Sequence, residues 1–197
     1  MIIQNIIKMI IIRNIQSGIF LEIKQPEWMR KEQTQKQDLY DLIEKLNPNC
    51  IMAEIGCYSG ESTEIFLSSN KIKTLYAIDS WLNGYDDTDI ASYVRPMEIV
   101  EKAFDERTKR FKKVIKQKMK SNEAIKLHSD KSLDFVYIDA EHTYEAVKND
   151  IQLWLPKIKN NGFLGGHDFY FVRKAIFEVL KDIDFRFCGD SWIKSIK

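Results

Sequence analysis

The stretch Ile51-Met-Ala-Glu-Ile-Gly-Cys-Tyr-Ser-Gly-Glu-Ser-Thr63 runs from a short apolar segment through a glycine-bounded loop into a segment of helical character. Ile51–Ile55 reads as a buried strand, because the apolar run is short and turn formers bound it. Gly56 and Gly60 permit a tight turn and close backbone approach, and a helix is expected from Glu61 to Leu67. Working outward, strand and helix alternate. Further strands are expected at Thr74–Ile78, Val114–Lys118, Phe135–Ile138 and Gly162–Gly166. Helices are expected at Trp28–Leu46, Pro96–Arg110, Asn122–Leu127, Thr143–Leu155 and Tyr170–Lys181. Phe185–Cys188 and Ser191–Ile196, joined by Gly189-Asp190, read as an antiparallel hairpin at one edge. The sum is an α/β fold: a mostly parallel seven-stranded sheet with helices on both faces.

Composition agrees. The chain has 197 residues, 44% hydrophobic and 30% charged, which suits a globular domain with a short appendage. Thirty Lys and Arg against 29 Asp and Glu leave a formal charge of +1, so no global basic field implies nucleic-acid binding. Three cysteines without a CxxC pair argue against a disulfide scaffold and a structural zinc site, and a cytoplasmic setting is expected.

Residues 1–24 form an N-terminal appendage, and residues 25–197 form the main domain. Ten isoleucines fall in the appendage, yet Lys8 and Arg13 interrupt it and the longest apolar run is Met9–Ile12. That is far below the roughly 20 residues a bilayer requires, so no transmembrane segment is expected. Ile2, Ile3, Ile6, Ile7 and Ile10 recur at helical spacing, which predicts an amphipathic helix packing on its own domain or in a homo-oligomer, with a helix lying on a membrane surface as the competing reading. Ile19–Ile23 reads as a short strand.

Polar residues collect where the strands end: Glu54 to Gly60, Asp79, Asp139 and His167-Asp168. In an open α/β sheet, ligands bind outside the carboxyl ends of the strands. The loop lacks the middle glycine of the dinucleotide fingerprint, with Tyr58 in its place, and no lysine follows as in a P-loop. It suits a nucleoside without a phosphate. Asp79, 19 residues after Gly60, can accept both ribose hydroxyls, and Glu54 can face an ammonium. A ribose, an ammonium and no phosphate describe S-adenosylmethionine.

The block Glu54-Ile-Gly-Cys-Tyr-Ser-Gly-Glu-Ser-Thr63 resembles the cofactor motif of class I S-adenosylmethionine-dependent methyltransferases. Asp134-Phe-Val-Tyr-Ile-Asp-Ala-Glu-His-Thr-Tyr-Glu145, continuing through Asp150, Trp154 and Pro156 to Gly162-Phe-Leu-Gly-Gly-His-Asp168, is similar to the methyltransferase domain family 24 branch, akin to small-molecule and sugar O-methyltransferases. Ala140 and Asn161 depart from its pattern, each where a glycine is usual. The resemblance implies a Rossmann-like fold, with Glu54, Gly56 and Gly60 at the methionine end of the cofactor and Asp79 on the ribose. It places Trp81 at the adenine or the substrate mouth, Ser121 near the adenine, and Asp139 and His142 beside the transferring methyl group.

The implied reaction is in-line methylation of a small-molecule hydroxyl, with His142, His167 and Asp139 as the catalytic candidates. Related sugar enzymes hold Mg2+ at the ends of the same two strands, which makes Asp139 and Asp168 candidate ligands. His128, beside Ser129-Asp130, reads as a surface residue, and Cys57 as a packing residue. Eight basic residues between Arg107 and Lys120 read as a solvated face, with attraction of a phosphate-bearing acceptor or RNA as the competing reading. The acidic loop Tyr85–Asp89 is expected to pair with that run or to shape the acceptor pocket. Two other functions stay open: a nicotinamide-dependent oxidoreductase, and a non-catalytic binding module with Ile2–Ile15 as its interaction element.

Overall fold

The computed structural model describes residues 10–13, 20–23, 33–86, 89–181 and 186–197. The chain divides into two units, Met1–Glu32 and Gln33–Lys197. In the first, strands β1 (Ile10–Arg13) and β2 (Phe20–Ile23) pair antiparallel, Ile10 opposite Ile23 and Arg13 opposite Phe20. The helix expected through Ile2–Ile10 falls largely outside the described residues. Where the chain is described, Ile10–Arg13 is extended rather than helical, as three consecutive β-branched residues favour.

The second unit runs α1 (Gln33–Glu44), β3 (Cys50–Ile55), α2 (Glu61–Ser68), β4 (Ile72–Asp79), α3 (Ala91–Val94), α4 (Met97–Thr108) and β5 (Val114–Lys118). It continues with α5 (Ser121–Ala124), β6 (Leu133–Ile138), α6 (Tyr144–Trp154), β7 (Ile158–Gly166), α7 (Phe169–Leu180), β8 (Arg186–Cys188) and β9 (Ser191–Ser195). The seven strands lie in the order β5-β4-β3-β6-β7-β9-β8, parallel except that β9 runs antiparallel to both β7 and β8. The expected sheet and its closing hairpin are therefore present.

The period of two along each strand divides the core. Phe135 and Tyr137 of β6 point to one face, with Leu42, Phe66 and Phe104. Val136 and Ile138 point to the other, with Ile151, Trp154, Ile176 and Trp192. Each such side chain contributes about 1.5–3 kcal/mol on full burial. Two shared neighbours of β3 fix the register at the functional edge: Ile55 stands opposite Ile78 of β4 and Ile138 of β6. The backbone continues that register past the strand ends. Gly56 N donates to Ile78 O at 2.9 Å, Asp139 N to Ile55 O at 2.8 Å, and His167 N to Ile138 O at 3.2 Å. Three bonds thus tie four strand ends together around the point where the strand order reverses, between β3 and β6, and this is the switch point of an open sheet.

Candidate active site

The glycine loop is shaped by its neighbours. Gly56 has φ +85°, and a Cβ there would stand 2.1 Å from Asp139 O. The loop can lie against the end of β6 only without a side chain at this position. Gly60, at φ +79°, closes the loop and starts α2, with Phe104 beneath it. Asp79 then pins the loop. Its Oδ2 accepts from Cys57 N and Tyr58 N, both at 2.9 Å, and its Oδ1 accepts from Trp81 N at 2.7 Å. Burial raises the Asp79 carboxyl, and the three amides oppose that rise. A carboxylate offers about four acceptor positions, so room remains for a ligand hydroxyl.

Glu54, on β3, is fully buried. One of its oxygens accepts from Ser62 Oγ of α2, and Oε2 has no partner. Burial pushes its carboxyl up from the ordinary 4.5 to about 8. Trp81 is 4% exposed: its indole Nε1 donates to Tyr58 O at 2.8 Å and its ring packs on Phe104. It braces the loop from beneath. The Ser121 hydroxyl lies 2.5 Å from Asp150 Oδ1 and accepts from Trp154 Nε1 at 2.8 Å, so it ties α5 to α6. Cys57 is buried, and burial holds its thiol well above the usual range, as suits a packing residue.

A second cluster stands at the ends of β6 and β7. His142 Nε2 lies 3.1 Å from Asp168 Oδ2 and 3.5 Å from Asp139 Oδ1. His167 Nδ1 lies 3.0 Å from Asp168 Oδ2 and 3.9 Å from Asp139 Oδ1. The structure thus gathers all four residues named from the sequence. Its helix is capped by Thr143, whose Oγ1 accepts from Ala146 N, so His142 is not spent as a cap. Bonds to Asp139 and Asp168 outweigh burial and raise His142 to about 10. Burial works against ionisation of Asp168, but the two imidazoles hold it well below the usual carboxylate range.

Asp86, which the sequence offers only as one member of the acidic loop, completes the cluster. It is 2% exposed, and its Oδ2 accepts from His142 N at 3.1 Å. Its own carbonyl accepts from Ser92 Oγ at 2.5 Å, which anchors the loop before α3 to the His142 turn. The partners stand 56 positions apart, and nothing in the Tyr85–Asp89 composition marks Asp86 from its acidic neighbours.

Residues 53–169, more than half of the chain, match the family model described as a methyltransferase domain. The chain belongs to this family, methyltransferase domain family 24. It is thereby a class I S-adenosylmethionine-dependent methyltransferase. No curated protein matches it. Solved structures of the same fold include an O-methyltransferase from Bacillus cereus in complex with S-adenosylhomocysteine (SAH), at 12% identity and a TM-score of 0.60, covering 87% of this chain and 84% of that one. The O-methyltransferase NovP has 14% identity and a TM-score of 0.59, with 82% and 77% covered. Precorrin 8w decarboxylase of Methanobacterium thermoautotrophicum has 16% identity and a TM-score of 0.58, with 83% and 78% covered.

Other features of this methyltransferase differ from expectation or sharpen it. His128 is not a surface residue. It is 7% exposed, edge-on to Tyr76, beside Trp154 and 3.1 Å from Gln117 Oε1, and burial lowers its pKa. The basic run is largely neutralised within the domain. Lys116 and Lys118 pair with Glu101, while Arg107 and Arg110 clasp the buried Glu64 at 2.8 and 2.6 Å. The Ala140 backbone lies against Gly56, and Asn161 adopts φ +63°, a left-handed conformation that asparagine tolerates in place of glycine. Among the described residues, no helix is long and apolar enough to cross a membrane.

Proposed function

We propose that this methyltransferase moves the methyl group of S-adenosylmethionine to a hydroxyl of a small-molecule acceptor. The observation that carries the cofactor reading is the use of the loop amides. Cys57 N and Tyr58 N both donate to Asp79, so the N–H groups that would cradle a pyrophosphate are committed to a carboxylate. A pyrophosphate finds no free donor in these two loop amides, which the dinucleotide fingerprint would turn toward it. A phosphate-free nucleoside does fit, with its ribose on Asp79, its ammonium at Glu54, and its sulfonium toward Asp139. The non-catalytic alternative gives no account of two histidines and two aspartates converging beside that position. Isothermal titration tests the assignment: saturable 1:1 binding of SAH with no heat from NAD is expected, and the reverse pattern overturns it.

In the reaction an acceptor oxygen attacks the sulfonium methyl carbon in line. The O–C bond forms, the S–C bond breaks, and the electron pair stays on sulfur as SAH leaves. The leaving group needs no help, so the chain supplies alignment and removal of the hydroxyl proton. His142, in its neutral form, takes that proton, with Asp168 and Asp139 holding the ring and stabilising the imidazolium. Because His142 keeps its proton up to about pH 10 in the free protein, the base form grows with pH. Turnover is expected to rise from pH 6.5 towards 10. His142→Ala is expected to leave SAH affinity unchanged, to slow turnover about 10²–10⁴-fold and to flatten that rise. Labelled methyl transfer to the best acceptor from a panel of phenols and sugars measures both, and unchanged turnover removes His142 from the mechanism.

The donor set does not suit magnesium. Asp139, His142 and Asp168 offer atoms within 4.8 Å of one another, close enough for one ion. Magnesium, however, takes oxygen ligands in octahedral geometry, and here one donor is an imidazole while a second imidazole occupies Asp168.

Glu54 gives binding its own pH dependence. Its folded pKa of about 8 lies above the ordinary 4.5, so the free protein holds a proton there that the unfolded chain sheds. Its contribution to stability is therefore full below about 4.5 and lost as pH rises through about 8. A bound ammonium favours the carboxylate and expels that proton. SAH affinity is expected to increase from pH 6 to 9 in the wild type and to lose this dependence in Glu54→Gln. Calorimetry in buffers of different ionisation enthalpy reads the released proton, and buffer-independent heats in the wild type contradict the assignment.

A further inference from the structure

We propose that Lys36 is the residue that binds the carboxylate of the cofactor's methionine moiety. This rests on the cofactor reading above and adds to it a residue that no motif marks.

Lys36 lies in α1, and its Nζ is buried without a hydrogen-bond partner. A buried ammonium left unpaired is costly, and such groups are found where a counter-charge completes them. Its charged neighbours are Glu61 and Glu64 of α2 and Arg107 of α4. Glu64 is already held by Arg107 and Arg110. Lys36, Arg107 and Arg110 thus face two carboxylates, Glu61 and Glu64, and the cluster carries one positive charge in surplus. Among the described residues, Glu61 and Glu64 are the carboxylates that act on Lys36.

The cluster sits where the glycine loop becomes α2. Glu61 is the first residue of that helix, and Arg107 Nε donates to Ser59 O at 3.1 Å. Gly60 provides no side-chain cap, so the first amides of α2 have no side-chain acceptor from that position. Ser62, one residue further, bonds Glu54, whose Oε2 is fully buried and unpartnered. A lone acceptor and a lone cation therefore flank the same first turn of α2. That is the complement of a zwitterion: an α-ammonium to Glu54 and an α-carboxylate to Lys36. The amino-acid end of the cofactor is the part of it that carries both charges.

The test compares two ligands that share the nucleoside and the sulfur. SAH carries the amino-carboxylate, and 5′-methylthioadenosine does not. Lys36→Met is expected to weaken SAH about 10–100-fold, the worth of a charge-assisted hydrogen bond, while leaving 5′-methylthioadenosine affinity at the wild-type value. Lys36→Arg is expected to recover most of the loss. The unchanged methylthioadenosine affinity also shows that the variant is folded. Wild-type SAH affinity in Lys36→Met, or an equal loss for both ligands, overturns the proposal. Failure of the wild type to bind either ligand instead overturns the cofactor reading, and this proposal with it.

Discussion

Gly56→Ala is expected to lose about 3–5 kcal/mol of stability and all measurable SAH binding. The added Cβ would stand 2.1 Å from Asp139 O, 2.5 Å from Asp139 C and 2.6 Å from Ala140 Cα. These are backbone atoms, so no side chain can swing aside. The φ of +85° adds strain for any residue with a Cβ. Relief requires β3 and β6 to part at the switch point, where Asp139 N donates to Ile55 O. Denaturant unfolding reads the stability and calorimetry the binding. A variant as stable as the wild type, or one that still binds SAH, contradicts the described packing of loop against strand.

Asp79→Ala is expected to lower SAH affinity at least about 100-fold and to cost about 3 kcal/mol of stability. The substitution removes the acceptor of three backbone N–H groups at once, those of Cys57, Tyr58 and Trp81. Each buried amide left unsatisfied costs roughly 1–3 kcal/mol, and water entering the space recovers part of that. For a chain of this length such a loss lowers Tm by about 6–12 °C. Binding suffers twice, because the ribose loses its acceptor and the loop loses its shape. Asp79→Asn separates the two effects: its amide oxygen still accepts from Cys57 and Tyr58, while its NH2 faces the Trp81 amide. A fall in Tm smaller than that of Asp79→Ala, since only the Trp81 amide loses its acceptor, with weakened SAH is expected for Asp79→Asn. Wild-type affinity in Asp79→Ala contradicts the ribose assignment.

Much of the fold was legible because hydrophobic periodicity and punctuation agreed. Val114–Lys118 is a strand with the expected bounds, and Phe135–Ile138 lies within a strand that ends at Ile138, with Asp139 next in the chain. The early part of β7 escaped notice because Ile158 is followed by Lys159-Asn160-Asn161, a polar run that pairs through backbone groups such as Asn161 N to Ile196 O. The four-residue α3 is too short to carry a period. In the appendage, isoleucine supports either a helical stripe or an extended strand, and for Ile10–Arg13 β-branching prevails over the spacing.

The site was legible where chemistry falls at strand ends. Glu54, Gly56, Asp79, Asp139, His142, His167 and Asp168 lie at the sheet edge because a parallel sheet brings all its carboxyl ends to one side. Contacts between residues distant in sequence were not legible. His128 looks exposed beside Ser129-Asp130, and only the packing of Tyr76 and Trp154 around it reverses that reading. Arg107 reads as one charge in a basic run, yet it closes over Glu64 from 43 positions away. Asp86 and Lys36 carry no spacing signal, since their significance comes from the groups packed around them.

A structure of the protein crystallised with saturating SAH tests the central claim most directly. The account predicts a ribose hydroxyl within hydrogen-bond distance of Asp79 and the sulfur directed at the Asp139–His142 pair. An empty switch-point crevice, or a nucleoside seated away from Asp79 and Glu54, would contradict it.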